Sequence, residues 1–440
     1  MSESLKKNML YAFGSQCMQM LQSILVSLVL PKLLGVEQFG FWQLFIFYSQ
    51  YGGFLHLGLI DGIYLNNGGK RYADLNFSSL AGQLKLLVIW QLLLLIPFII
   101  LGLYSEDSNR IFVIIASAIY IFISNIYTYF SYILQSINHI KAFSWGRIIN
   151  ILFFSFSLIV LIVFKSEVFI PYVIVYIIGQ IFSSLYYIIN LKELAYCFLL
   201  PIKRSYFYDV LNNLKVGIFL LVSNLTGMLI VGVGRLGVDM NWGIEMFSKV
   251  SFILVFVNFF MMFISQASLV LFPHLRRKED FRVISVYYRL NKVLYFLLPL
   301  LMMLYVPIVM FIKYWLPDYL DASYYLIYLL PLCYFEIKMQ LVHNTIYKVF
   351  RLERKLLQCN CIAFMVCVIL TLISIYLFHS LNAVVASMSI SIALRNYIAV
   401  YLIKAEVKES GRQIGTVMMY EMSIIVIFIL FNLKANLLLL

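Results

Sequence analysis

Charge is scarce in this 440-residue sequence: Asp, Glu, Lys and Arg together make up 12% of it. A soluble domain of ordinary composition carries about 25% to cover its surface, so a water-facing fold is excluded. Acid is scarcer still, with 20 Asp+Glu against 33 Lys+Arg. The six cysteines form no framework: Cys17, Cys197, Cys333 and Cys367 lie in or beside apolar runs, and Cys359 and Cys361 make a C-x-C with no second pair. This excludes a zinc pattern and argues against structural disulfides. The five histidines (His56, His139, His274, His343 and His379) are scattered, and the chain has no H-x-x-H, H-E-x-x-H or G-x-S-x-G. Common hydrolytic and metal-dependent chemistries thus lose their signatures.

What is present is apolar: 63% of residues belong to the AVILMFWYC set, and the mean hydropathy is +0.93. A bilayer core of about 30 Å needs about 20 apolar residues per helix. Runs of that kind occupy 8–30, 39–61, 79–103, 111–135, 144–164, 169–191, 212–234, 246–272, 290–312, 322–347, 357–378 and 383–403. A shorter thirteenth candidate, 416–433, contains Glu421, which reads as peripheral. Lys6 and Lys7 precede the first run as in a signal peptide, but it continues to Leu30, includes Gln16, Gln19 and Gln22, and has no small-residue cleavage site. It is expected to be a retained span.

Sorting the loops alternately places 23 Lys+Arg on one side and 7 on the other, with Lys85, Lys338 and Arg395 inside spans. Positive charge stays cytoplasmic, so the N-terminus is expected in the cytoplasm. The net charge of +13 is then mostly topology rather than a sign of nucleic-acid binding.

Shifted by 208 residues, the two halves resemble each other: Gly35-Val36-Glu37-Gln38-Phe39 meets Gly243-Ile244-Glu245-Met246-Phe247, and Lys7 meets Lys215. Both segments fall at the turn between the first and second helix of a half. An even offset of six helices preserves orientation, giving a parallel repeat about the membrane normal. The expected fold is an all-α polytopic membrane protein with two six-helix lobes around a central cavity. The lobes are 1–191 and 212–404, joined by a cytoplasmic linker at 192–211 and followed by a tail at 405–440 with the candidate thirteenth helix.

The segment Leu30-Pro31-Lys32-Leu33-Leu34-Gly35-Val36-Glu37-Gln38-Phe39-Gly40 resembles the first-turn signature of Wzx-type polysaccharide flippases. These belong to the exporter superfamily that also holds multidrug (MATE) antiporters and lipid II flippases. Leu57-Gly58-Leu59-Ile60-Asp61-Gly62-Ile63-Tyr64-Leu65, followed by Gly68-Gly69-Lys70-Arg71-Tyr72, is similar to the end of their second helix. The resemblance implies alternating access in the bacterial cytoplasmic (inner) membrane. It implies a substrate partner too: an undecaprenyl-diphosphate-linked oligosaccharide repeat unit of O-antigen or capsule type, moved to the outer leaflet. Other polysaccharide-assembly membrane proteins are conceivable partners; no cofactor, metal or nucleic acid is expected, and no enzymatic activity. The alternatives are a MATE-like cation antiporter and, further off, a membrane glycan polymerase or ligase, for which no large outer loop is present.

Moving a hydrated sugar and a diphosphate needs helices with one polar face and a few cations. Candidate stripes are Gln16 and Gln19 on the first helix, and Ser124, Thr128 and Ser131 on the fourth. Glu336, Gln340 and His343 form another on the tenth, and Ser391 and Arg395 lie on the twelfth. Such serine and threonine stripes serve interhelical packing as well as cavity lining. Lys338 and Arg395 read either as cavity cations or as members of lobe-internal ion pairs, such as Glu336 with Arg395. Asp61, at the end of the second helix, reads as a cap, a partner of Lys70 or Arg71, or an ion-coupling group. Arg235 and Lys249 are candidates for the outer mouth, with Asp239 and Glu245 as nearby acids.

Overall fold

A computed structural model describes the backbone of residues 3–276, 280–407 and 411–439. Among these residues the chain is helical, with no strand. The α-helices, in chain order, begin with α1 (Glu3–Tyr51), α2 (Leu59–Asn67), α3 (Phe77–Leu103), α4 (Ser108–Ser136) and α5 (Ile140–Val163). Next come α6 (Ile170–Asn190), α7 (Lys192–Cys197), α8 (Arg204–Arg276), α9 (Asp280–Met303) and α10 (Tyr305–Trp315). The series ends with α11 (Leu326–Lys338), α12 (Asn344–Val349), α13 (Glu353–Tyr376), α14 (Leu381–Ile403) and α15 (Gly411–Leu439). Two compact units result, Met1–Leu225 and Thr226–Leu440.

Among the described residues, eleven stretches are long and apolar enough to cross a membrane. Two of them, Phe13–His56 and Leu221–Met262, run to 44 and 42 residues. At 1.5 Å per residue either is about twice the hydrocarbon thickness, so each supplies two crossings. The fold is that of a multi-pass membrane protein. Its lipid-facing sides carry what a soluble surface would not: Leu93, Ile96, Leu101 and Leu103 of α3 are each more than half exposed, as is Phe156 of α5.

Both double-length helices turn at a glycine. Gly35 sits at φ 68°, ψ −179° within α1, and Gly243 at φ 78°, ψ −177° within α8. This corner of backbone space is open essentially to glycine alone. A Cβ would meet nothing within 4 Å at either position, so conformation rather than crowding requires glycine there. The two are 208 residues apart, and they give the repeat seen in the sequence a backbone basis.

The second span is not the continuous helix expected over 39–61. It breaks into a 3₁₀ turn at Gly52–His56, followed by Leu57 at φ 55° and Gly58 at φ 89°, and resumes as α2. A break at membrane depth survives only if its freed backbone groups find partners, and side chains provide them. Asn125 Nδ2 donates to the Gly52 carbonyl at 3.1 Å, and Trp90 Nε1 and Gln91 Nε2 donate to the Leu55 carbonyl at 2.8 and 3.0 Å. The Gly58 N–H donates to His56 Nδ1 at 3.1 Å. The span expected at 322–347 is composite too: the chain leaves α11 through a π-helical segment, Met339–His343, before α12.

Aromatic side chains fill the first unit. Trp42 and Phe45 of α1 pack against Phe154 of α5 and Tyr176 of α6, with ring centroids 5.7 to 6.1 Å apart. In the second unit α11 is the central element, in contact with α9, α14 and α15. Most of its residues are buried, Lys338 among them.

Candidate functional site

In the first unit, polar groups from α1 and α5 converge on one guanidinium. Arg147 Nη2 donates to Gln16 Oε1 at 2.9 Å and also to Gln19 Oε1. One turn further, Gln22 Nε2 donates to the Ile151 carbonyl at 3.3 Å. The guanidinium carbon lies 5.6 Å from the centroid of the Phe143 ring. Local packing sets this position: Gly146, the residue before Arg147, admits Tyr187 so closely that a Cβ would fall 2.0 Å from its ring. Ser183 Oγ donates to the Gly146 carbonyl at 2.6 Å, and the Tyr187 hydroxyl donates to the Phe143 carbonyl at 2.7 Å. Arg147 remains half-buried and makes no ion pair among the described residues. It lies seven residues along α5 from Ile140, about 10 Å of helix rise.

Other first-unit candidates lie apart from this cluster or use their polarity locally. Thr128 Oγ1 donates to the Ser124 carbonyl at 2.7 Å, and Ser131 Oγ to the Thr128 carbonyl at 3.1 Å, both within α4. Asp61 does not end a helix; it is buried in the first turn of α2 because the break at Leu57–Gly58 restarts the helix just before it. Its carboxylate is 3.9 Å from His56 Nε2, whereas Lys70 donates to Asn67 Oδ1 at 2.9 Å.

In the second unit the two mid-membrane cations are both matched by acids. Arg395 Nη1 lies 3.3 Å from Glu336 Oε2, and Arg395 Nε donates to Asn360 Oδ1 at 2.8 Å. Lys338 Nζ is 2.5 Å from Glu421 Oε1, which also accepts from the Tyr334 hydroxyl at 2.7 Å. Glu421 is therefore not peripheral: its side chain is 0% exposed, because α15 turns it onto α11. Glu336 and Lys338, two residues apart on α11, face different partners. Of the remaining candidates, Gln340 Oε1 accepts from Asn344 Nδ2 at 3.0 Å, and Ser391 Oγ donates to the Ser387 carbonyl at 2.7 Å. His343 is wholly buried in the π-helical segment, and neither ring nitrogen has a hydrogen-bond partner. Arg235 is buried, with Nη2 2.9 Å from Ser251 Oγ and its guanidinium over the Phe247 ring at 5.0 Å. Lys249 pairs with Asp321 at 2.5 Å rather than with Glu245.

Sequence reasoning counted Arg147 with the loop 137–147, read Glu421 as peripheral, and passed over Asn360 and Tyr334. One signal was available for Glu421: a lone acid in one apolar helix and a lone base in another ask to be paired.

The all-helical architecture is similar in fold to solved membrane-transporter structures. Over 98% of this chain and 99% of the other, it is similar to a solved structure of the lipid II flippase MurJ in an inward closed conformation (TM-score 0.59, 14% identity). Over 90% of this chain and 94% of the other, it is similar to an inward-facing multidrug resistance MATE family transporter of the MOP superfamily (TM-score 0.64, 11% identity). At these identities the likeness is one of fold. No protein-family model and no curated protein matches the chain.

Proposed function

We propose that the protein is a flippase for an anionic lipid-linked oligosaccharide, the undecaprenyl-diphosphate repeat unit of a surface polysaccharide. It moves this cargo from the inner to the outer leaflet of the bacterial cytoplasmic membrane by alternating access. In this reading the N-terminus is cytoplasmic, and the working lobes are 1–191 and 212–404.

The observation that carries the reading is Arg147. A cation on a membrane-spanning helix is costly, and here Arg147 is positioned by neutral amides, with no carboxylate paired to it among the described residues. A planar guanidinium with donors to spare suits a phosphate group, which it can bind bidentately. A cargo of positive charge would call for the reverse, an unneutralised acid. Gln16 and Gln19 orient the guanidinium, and the neighbouring aromatic rings offer sugar-stacking faces. Arg395 and Lys338, already neutralised, become supports for the second lobe rather than ligands of the cargo, and His343 and Gln340 lie beside them.

Deletion of the gene followed by lipid analysis tests this. Undecaprenyl-linked repeat unit is expected to accumulate on the cytoplasmic side while surface glycan is lost. Unchanged glycan with altered drug sensitivity would overturn the reading in favour of a multidrug cation antiporter.

A further inference from the structure

Glu421 differs from every other acid described above. It lies on α15, outside the repeated helices, and makes the one ion pair of that helix among the described residues. Its partner Lys338 is 1% exposed. The Oε1 oxygen is fully used, by the Lys338 ammonium and the Tyr334 hydroxyl. The Oε2 oxygen is buried without a hydrogen bond of standard geometry, as is the hydroxyl of neighbouring Tyr397. A carboxylate in a dry site with one bare oxygen is short of one proton or one donor.

Three further features meet there. A cavity with a free volume of about 10 Å³ is lined by Lys338, Asn291, Tyr287, Tyr295 and Tyr397 together with the α15 residues Val417 and Met418. It has room for about one water molecule. The π-helical segment starts at the residue after Lys338, and such bulges concentrate at functional sites. The last residue of that segment is His343, with both ring nitrogens unpartnered.

We propose that Glu421 is a proton-binding site: a proton taken from water onto Oε2 dissolves the Lys338 pair and loosens α15 from α11. The step is a simple protonation, carboxylate to carboxylic acid, with the new O–H directed to the Tyr397 hydroxyl. It leaves the Lys338 ammonium uncompensated. The Lys338 side chain then swings into the cavity, where Asn291 and the tyrosine hydroxyls can solvate it. The groups facing Glu421 are Lys338 and Tyr334 from α11 and Tyr397 from α14, with Tyr295 from α9 beside Tyr334; Arg395 is held by Glu336. Removing one charge of a buried pair leaves the other stranded, so a single proton changes how α15 is held. The inference goes beyond the flippase reading and stands whatever the cargo is.

Infrared difference spectroscopy on the full-length protein in lipid nanodiscs tests the site. On acidification the wild type is expected to show the carbonyl band of a newly protonated carboxylic acid, and Glu421→Gln is expected to lack it. Hydrogen exchange of α15 tests the consequence. Exchange rises on acidification in the wild type, is already raised at neutral pH in Glu421→Gln, and stays low at both pH values in the Lys338→Met/Glu421→Leu double variant. The double variant carries the test should Glu421→Gln fail to fold. An acid band of equal size in a Glu421 variant, no band in the wild type, or α15 exchange that ignores pH overturns the proposal.

Discussion

The two units treat a membrane-embedded cation in opposite ways. In the first, Arg147 is held by Gln16 and Gln19 and stays charged and half-buried. In the second, Lys338 and Arg395 are each met by a carboxylate, from Glu421 and Glu336. Amides fix a guanidinium's direction without cancelling its charge, whereas carboxylates cancel charge and fasten one helix to another. Around Arg147 no described carboxylate cancels the charge, whereas Lys338 and Arg395 each fasten their helix to another through an acid. Depth or residue type alone would have assigned all three cations the same task.

The largest effect that can break this contrast lies in the dry pair. Lys338→Ala should cost about 3–5 kcal/mol by stranding Glu421 in an apolar site. The Lys338→Met/Glu421→Leu double variant should recover most of that loss in thermal unfolding of the purified protein. Equal loss in single and double variants would mean that the pair is no pair. Next comes Arg147. Arg147→Ala should lower surface glycan by about ten- to a hundredfold, the equivalent of about 1.5–3 kcal/mol of charged hydrogen bonding, at unchanged membrane abundance. A variant that instead vanishes from the membrane would place Arg147 among the structural cations.

A smaller effect probes the likeness of the halves. Gly35→Ala and Gly243→Ala should each cost about 1–3 kcal/mol, since both force a side chain into glycine-only backbone space. Clearly unequal shifts of the unfolding midpoint would show that the two turns are not equivalent. The smallest effect concerns a wet counterpart of the dry pair. Lys355 Nζ lies 2.6 Å from Glu406 Oε1, and this hydrogen bond holds the Glu406 carboxyl below its ordinary value. A depressed acid stabilises the fold above its unfolded-state value and loses that contribution as pH falls through the folded one. Acid titration should therefore weaken the wild type slightly more than Glu406→Gln, by about 1 kcal/mol or less.

The crossings and the repeat could be read in the sequence because each depends on neighbours along the chain. Apolar runs mark spans, and a glycine that recurs 208 residues later marks a turn used twice. The bend after Tyr51 was harder to see. Glycines at 52, 53 and 58 hint at it, but the donors that make it tolerable come from α3 and α4. The ion pairs were harder still: Lys338 and Glu421 are separated by 83 residues, and Arg395 and Glu336 by 59. No periodicity connects them. Balanced membrane charges suggest that pairs exist without saying which. Arg147 was hidden for a different reason: near a helix end, a buried cation and a loop cation look alike until the chain is folded.

The bend at Gly52–His56 has a mechanical consequence. Its freed carbonyls are gripped by Trp90 and Gln91 from α3 and by Asn125 from α4. A joint clamped from two sides does not flex on its own. It forms an elbow whose two carbonyl anchors lie on α3 and α4, so where α2 restarts depends on both of those helices. Asp61 sits just past that elbow.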